Sequence, residues 1–166
     1  MISPKMQDAL SEHAAREVYS AYLYLAMGAW CDTKVYKGFG RWLRVQHAEE
    51  LEHARKLVDY VLERGGHPAF AAIAAPPREL GSLTQVFEAV LAHEQQVTQH
   101  IHALYQAALA EKDAAAQVFL QWFVGEQVEE EAAAQEIVDK LRLVGDRPGA
   151  ALYLDKEYGK RGKSDT

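Results

Sequence analysis

The sequence predicts an all-α chain: a bundle of four long helices with one long crossover and a short fifth helix at the C-terminal end. Three observations predict it. Proline and glycine are sparse, 5 and 11 among 166 residues, and fall mostly between long uninterrupted segments. Inside each long segment apolar residues recur at alternating steps of three and four, the spacing of one inward helix face. No stretch alternates with period two for long enough to read as a strand.

The first helix, α1, reads over about 4–32, where Ser3 caps and Pro4 takes the first helical position. Its inward stripe is Leu10, Ala14, Glu17, Ala21, Tyr24 and Gly28. Helix α2, about 38–64, stops at Gly65-Gly66 with Pro68 beyond, and its stripe is Phe39, Leu43, Gln46, Glu50, His53, Leu57 and Tyr60. Helix α3, about 83–111, opens at Ser82-Leu83-Thr84-Gln85, a capping box, with stripe Phe87, Val90, Glu94, Val97, Ile101 and Leu104. Asp113 caps α4, about 114–143, which ends at Gly145 and carries Leu120, Phe123, Gln127, Glu130, Ala134, Ile137 and Leu141. Pro148 opens α5, about 148–158. The chain 1–166 reads as a single domain of this kind.

Connection lengths set the topology. α1–α2 and α3–α4 are joined by a few residues, so each pair is an antiparallel hairpin. The α2–α3 connection contains Pro76-Pro77 and is about 17 residues, which reach about 56 Å when extended. A 28-residue helix is about 42 Å long, so this crossover can run the full length of the bundle.

Each inward stripe is broken near its middle by groups that do not belong in an apolar core: Glu17, then Glu50 and His53, then Glu94, then Gln127 and Glu130. Helices of similar length in antiparallel hairpins bring these breaks to one level. No Lys or Arg lies in the stripes to neutralise them. Burying four carboxylates bare costs several kcal/mol each, with repulsion added. Two divalent cations cancel their four charges, while neutral His53 supplies an imidazole nitrogen. Oxygen-rich ligation with one His and no Cys suits iron or manganese. The Glu-x-x-His spacing of Glu50 and His53 is weak alone; the coincidence of all four breaks carries the reading.

Composition narrows the function classes. A net charge of −6 and a pI near 5.6 give no basic face for nucleic acid. No apolar run is long enough to span a membrane, and no leader segment is visible at the start, so a cytoplasmic location is expected. The single Cys31 forbids an internal disulfide and reads as a packed thiol. His93, His100 and His102 on α3 read as solvated surface residues.

With these residues in hand, the sequence resembles the non-haem bacterial ferritins. The likeness rests on Glu17-Val18-Tyr19-Ser20 with Tyr24, on His47-Ala48-Glu49-Glu50-Leu51-Glu52-His53, on His93-Glu94-Gln95, and on the run from Gln121 to Glu131. It covers nearly the whole chain. It implies a ferritin-like bundle, ferroxidase activity on Fe²⁺ with oxygen or peroxide as oxidant, and iron storage. Glu17, Glu50 and His53 would hold the first iron of a di-iron centre. Glu50 would bridge to a second held by Glu94 and Glu130, with Gln127 as a hydrogen-bonding group or weak ligand. Tyr24 would lie beside the centre and Trp122 near enough to donate electrons. A third iron site would use Glu49, Glu126, Glu129 and Glu130. The family assembles as a hollow shell of 24 identical subunits. Haem is not expected, because Glu52 stands where haem-binding relatives carry methionine. Two competing readings remain at this point: another carboxylate-bridged di-iron oxidase or peroxidase without mineral storage, and a metal-free interaction bundle.

Overall fold

A computed structural model describes residues 1–145 and 147–161. It contains α1 (Pro4–Thr33), α2 (Lys37–Glu63), α3 (Leu83–Ala110), α4 (Ala114–Val144) and α5 (Pro148–Tyr158), with no strand among the described residues. The helix starts show their chemistry. The Ser3 side chain accepts from Met6 N–H, Ser82 and Gln85 close a reciprocal capping box, and Asp113 accepts from Ala116 N–H. None of these helices is long and apolar enough to cross a membrane.

Cross-chain contacts fix the packing. Ile2 N–H donates to the Arg64 carbonyl at 3.1 Å, placing the start of α1 beside the end of α2. The guanidinium of Arg64 grips Asp113, which ties the end of α2 to the start of α4. The crossover runs up along α1: His67 N–H donates to Gln7 Oε1, Ala69 N–H donates to Ser11 Oγ, and Ala71–Ala74 flank a groove with Arg16 and Tyr19. Leu80 then packs on the far apolar cluster.

The core is divided. One apolar cluster gathers Met27, Phe39, Leu43, Phe87 and Ile137; the other gathers Met6, Leu10, Leu57, Ile101 and Leu120. Each such buried side chain contributes about 1.5–3 kcal/mol, and the polar level of the stripes lies between the two clusters. Cys31 is buried in the first cluster, and burial pushes its thiol up to about 12, so it is a packing group there.

Helix α5 packs on its own bundle through Ala151 and Leu154 and leaves Leu152 and Tyr153 exposed. The apolar run that opens it is thus only half covered by this chain. Its seat is tight. A Cβ on Gly38 would lie 1.6 Å from the Asp155 carbonyl oxygen, so only glycine permits this approach. Phe39 N–H donates to Asp155 Oδ1 at 2.8 Å. Tyr36, at the N-cap of α2, makes no side-chain cap, and Asp155 supplies the missing acceptor from α5.

Candidate metal centre

Four helices deliver the polar level. Glu17 comes from α1, Glu50 and His53 from consecutive turns of α2, Glu94 from α3, and Gln127 and Glu130 from α4; each is 7 % exposed or less. Donor atoms of Glu17, Glu50 and His53 lie within 4.8 Å of one another. His53 Nδ1 sits 3.0 Å from Glu50 Oε2. Glu94 and Glu130 stand outside this tightest group, each held by a neighbour. Glu94 accepts from the Tyr24 hydroxyl and from Gln127 Nε2 at 3.1 Å, while Glu130 accepts from Gln46 Nε2 at 2.6 Å.

The electrostatics follow from burial. Desolvation, then the charges of Glu17, Glu94 and Glu130, hold the Glu50 carboxyl well above the usual range. Burial pushes Glu94 up to about 7, against the Tyr24 hydrogen bond, and raises Glu130 as well. Burial also acts to raise Glu17, but the His13 imidazole beside it outweighs that, and the net shift is down. Tyr24 is raised well above its ordinary value by burial and the nearby carboxylates, so it stays a neutral donor.

The residues fit cations. Glu17 Oε2 and Gln46 Oε1 are buried without a hydrogen-bond partner, an expensive arrangement that asks for a ligand. Among the described residues no Lys or Arg hydrogen-bonds to Glu17, Glu50 or Glu94. The donors are carboxylate oxygens, amide groups and imidazole, a hard set suited to iron.

The other sequence candidates lie around this core. Glu49, Glu126, Glu129 and Glu130 line a separate pocket of about 430 Å³. Arg161 reaches into it, pairs with Glu49 at 2.7 Å and covers the Trp42 ring at 4.8 Å. Trp122 meets His53 edge-on with ring centroids 5.3 Å apart, and Lys56 Nζ sits 3.5 Å above its ring. His53 and Trp122 also border a cavity of about 830 Å³ along the α2–α4 seam, with Arg41, Arg44 and Lys56.

Two inward polar residues escaped the sequence reading as candidates. Gln46 sits in the α2 stripe one turn before Glu50 and looks like a tolerated amide. His13 is one turn before Glu17 and beside the stripe; the spacing of four from Glu17 was the available signal. His93 differs from its reading as a solvated residue. Its Nε2 lies 2.7 Å from Ser20 Oγ, and its ring meets Tyr19 and Tyr24 edge-on. It shares a groove with Ala71–Ala74 of the crossover, a neighbour that the local pattern of α3 does not announce. His102 is exposed as expected.

A four-helix bundle with one long crossover, closed at mid-height by carboxylates and an imidazole from four helices, is the architecture of the ferritin-like class. A Ferritin-like domain model matches residues 7–144. The chain is 42 % identical over 161 residues to a bacterial non-heme ferritin of Bacteroides fragilis, covering 97 % of this chain and all of that one. It is 40 % identical to the bacterial non-heme ferritin of Staphylococcus saprophyticus, covering 97 % and 96 %. The solved open pore ferritin of Archaeoglobus fulgidus superposes with a TM-score of 0.95 at 51 % identity, covering 97 % of this chain and 99 % of that one. The chain belongs to the ferritin family.

Proposed function

We propose that this protein is an iron-storage ferritin that oxidises Fe²⁺ within each subunit and deposits ferric mineral inside a hollow shell of 24 copies, in the cytoplasm. The observation that carries this reading is the buried cluster of Glu17, Glu50 and His53, left without a compensating Lys or Arg among the described residues, in a chain of this family. Glu17, Glu50 and His53 take the first Fe²⁺. Glu50 bridges to the second, which Glu94 and Glu130 hold. Gln127 and Tyr24 fix Glu94 by the hydrogen bonds already described. Glu49, Glu126, Glu129 and Glu130 offer a third position. No haem is required.

The iron is substrate here, and the carboxylates do three things. They cancel its charge, they favour the ferric product as hard ligands, and they release protons on binding because burial has kept Glu50 and Glu94 protonated longer than usual. Two Fe²⁺ give up one electron each. Oxygen takes both with two protons to become hydrogen peroxide; peroxide takes both with two protons to become two waters. Neutral Gln127, in place of a second imidazole, holds the product less firmly and lets it move on to mineral.

One observation favours the second reading, a di-iron oxidase acting on an organic substrate: the cavity of about 830 Å³ that reaches His53 along the α2–α4 seam. Aerobic loading separates the two. Apo-protein receives excess Fe²⁺ in air and passes down a calibrated sizing column. Hundreds of irons co-eluting with a particle of about 450 kDa establish the storage shell, built from 24 chains of 18.6 kDa. Two or three irons per chain on a small oligomer establish the enzyme reading instead.

A further inference from the structure

His13 is a buried imidazole whose Nε2 pairs with Glu17 Oε1 and whose Nδ1 has no hydrogen-bond partner among the described residues. It is 2 % exposed. Leaving Nδ1 unsatisfied costs about 1–3 kcal/mol, which packing against Phe123, with ring centroids 6.4 Å apart, does not repay.

His13 Nε2 lies 3.0 Å from Glu17 Oε1. Two ligands at right angles in an octahedral shell, each at about 2.1 Å, stand about 3.0 Å apart, the same separation as a direct imidazole–carboxylate hydrogen bond. His53 Nδ1 and Glu50 Oε2 show the same 3.0 Å separation. Glu17 thus neighbours both imidazoles. The group whose donors all fall within 4.8 Å contains Glu17, Glu50 and His53 but not His13. One ion is thus shared either by His13 and Glu17 or by Glu17, Glu50 and His53, and changing partners means moving inward.

A groove runs past His13, although both of its ring nitrogens are buried. His13 lines this groove, of about 220 Å³ between α1 and α3, together with Glu12, Arg16 and His100. The Arg16 guanidinium there is occupied by Glu12 at 2.6 Å. His100 adds a second imidazole at the same groove.

We propose that His13 and Glu17 form a staging site for divalent cations, Fe²⁺ in function, on the α1–α3 side of the centre, from which Glu17 carries the ion inward to Glu50 and His53. The inference rests on the di-iron reading and adds a route to it. His13 touches the incoming ion, not the oxidised pair.

Co²⁺ is the probe, because its visible absorption reports its ligands without oxidation. Stopped-flow mixing of apo-protein with Co²⁺ is compared between the natural chain and His13→Gln, with folding checked by circular dichroism. The expected result is filling slowed at least fivefold, with final stoichiometry and final spectrum unchanged. An unchanged rate overturns the proposal. So does an altered final spectrum or stoichiometry, which makes His13 a permanent ligand or a prop for Glu17. A natural chain that takes up no Co²⁺ fails the di-iron reading itself, a different outcome from equal rates in both chains. A measurement without any variant runs alongside: crystals of the natural chain soaked briefly in limiting Co²⁺. An anomalous peak about 2.2 Å from His13 Nε2, fading as the centre fills, supports the staging site. Filling of the centre with no peak at His13 at any soak time overturns it.

Discussion

Two groups of carboxylates lie side by side on α2 and α4 and behave differently. Glu50 and Glu130 belong to the inner level between two apolar clusters, with Glu130 also bordering the outer pocket. Glu49, Glu126 and Glu129 are their close neighbours in sequence and line the outer pocket, where Glu129 is exposed and Glu49 already has a cation in Arg161. The residue type is the same and the helices are the same. Burial separates them: burial and mutual repulsion raise Glu50 well above the ordinary range, whereas the outer carboxylates are solvated or paired. Ionised together, the inner carboxylates would need a cation to balance them.

The sharpest way to break this contrast is Glu50→Gln. Metal uptake at the centre and Fe²⁺ oxidation should fall at least about 100-fold, while the apo-protein becomes more stable at neutral pH, because the cost of holding Glu50 protonated in the folded chain is gone. Iron-oxidation assays and urea unfolding of the same samples check both signs; a variant that loses stability and keeps activity would contradict the assignment.

The next test is pH. Glu50, Glu94 and Glu130 are raised in the folded chain, so above pH 4.5 the folded state holds protons that the unfolded state has lost. Apo-protein stability should therefore fall as pH rises from about 4.5 through about 7, by about 3 kcal/mol for the Glu94 shift alone. Saturating Zn²⁺, which binds the ionised form, should reverse the slope. Glu17 is lowered and contributes with the opposite sign, below pH 4.5. Urea midpoints at pH 5 to 8, with and without Zn²⁺, report this directly.

Smaller effects belong to the outer pocket. Arg161→Ala should tighten lanthanide binding there about fivefold and cost less than about 1 kcal/mol of stability, since the Glu49 pair is partly exposed. Terbium luminescence is the readout, and the inner site should not respond. Least of all, Glu129→Gln should leave stability within about 0.5 kcal/mol.

The inner group was legible in the sequence because burial leaves a periodic trace. Glu17, Glu50, Glu94 and Glu130 interrupt stripes whose other members are apolar, and the interruptions coincide once hairpins set the level. His13 left no such trace. It lies beside the stripe, next to Ala14, and only the packed α1–α3 face shows that position to be buried. The roles of Gln46 and His93 depend on partners 84 and 73 residues away, Glu130 and Ser20, so neither could be read locally. The helix ends were legible for a simpler reason, as Ser3, Ser82 and Asp113 act on backbone within three residues of themselves.

The hydrogen bond from Phe39 to Asp155 spans 116 residues. On a ribosome the first hairpin emerges long before the acceptor for the first turn of α2 is made. Until α5 arrives, the Phe39 N–H lacks that acceptor, and a chain broken off before Asp155 never gains it. Synthesis thus completes the first turn of α2, the older element, only when α5, the younger one, has been made.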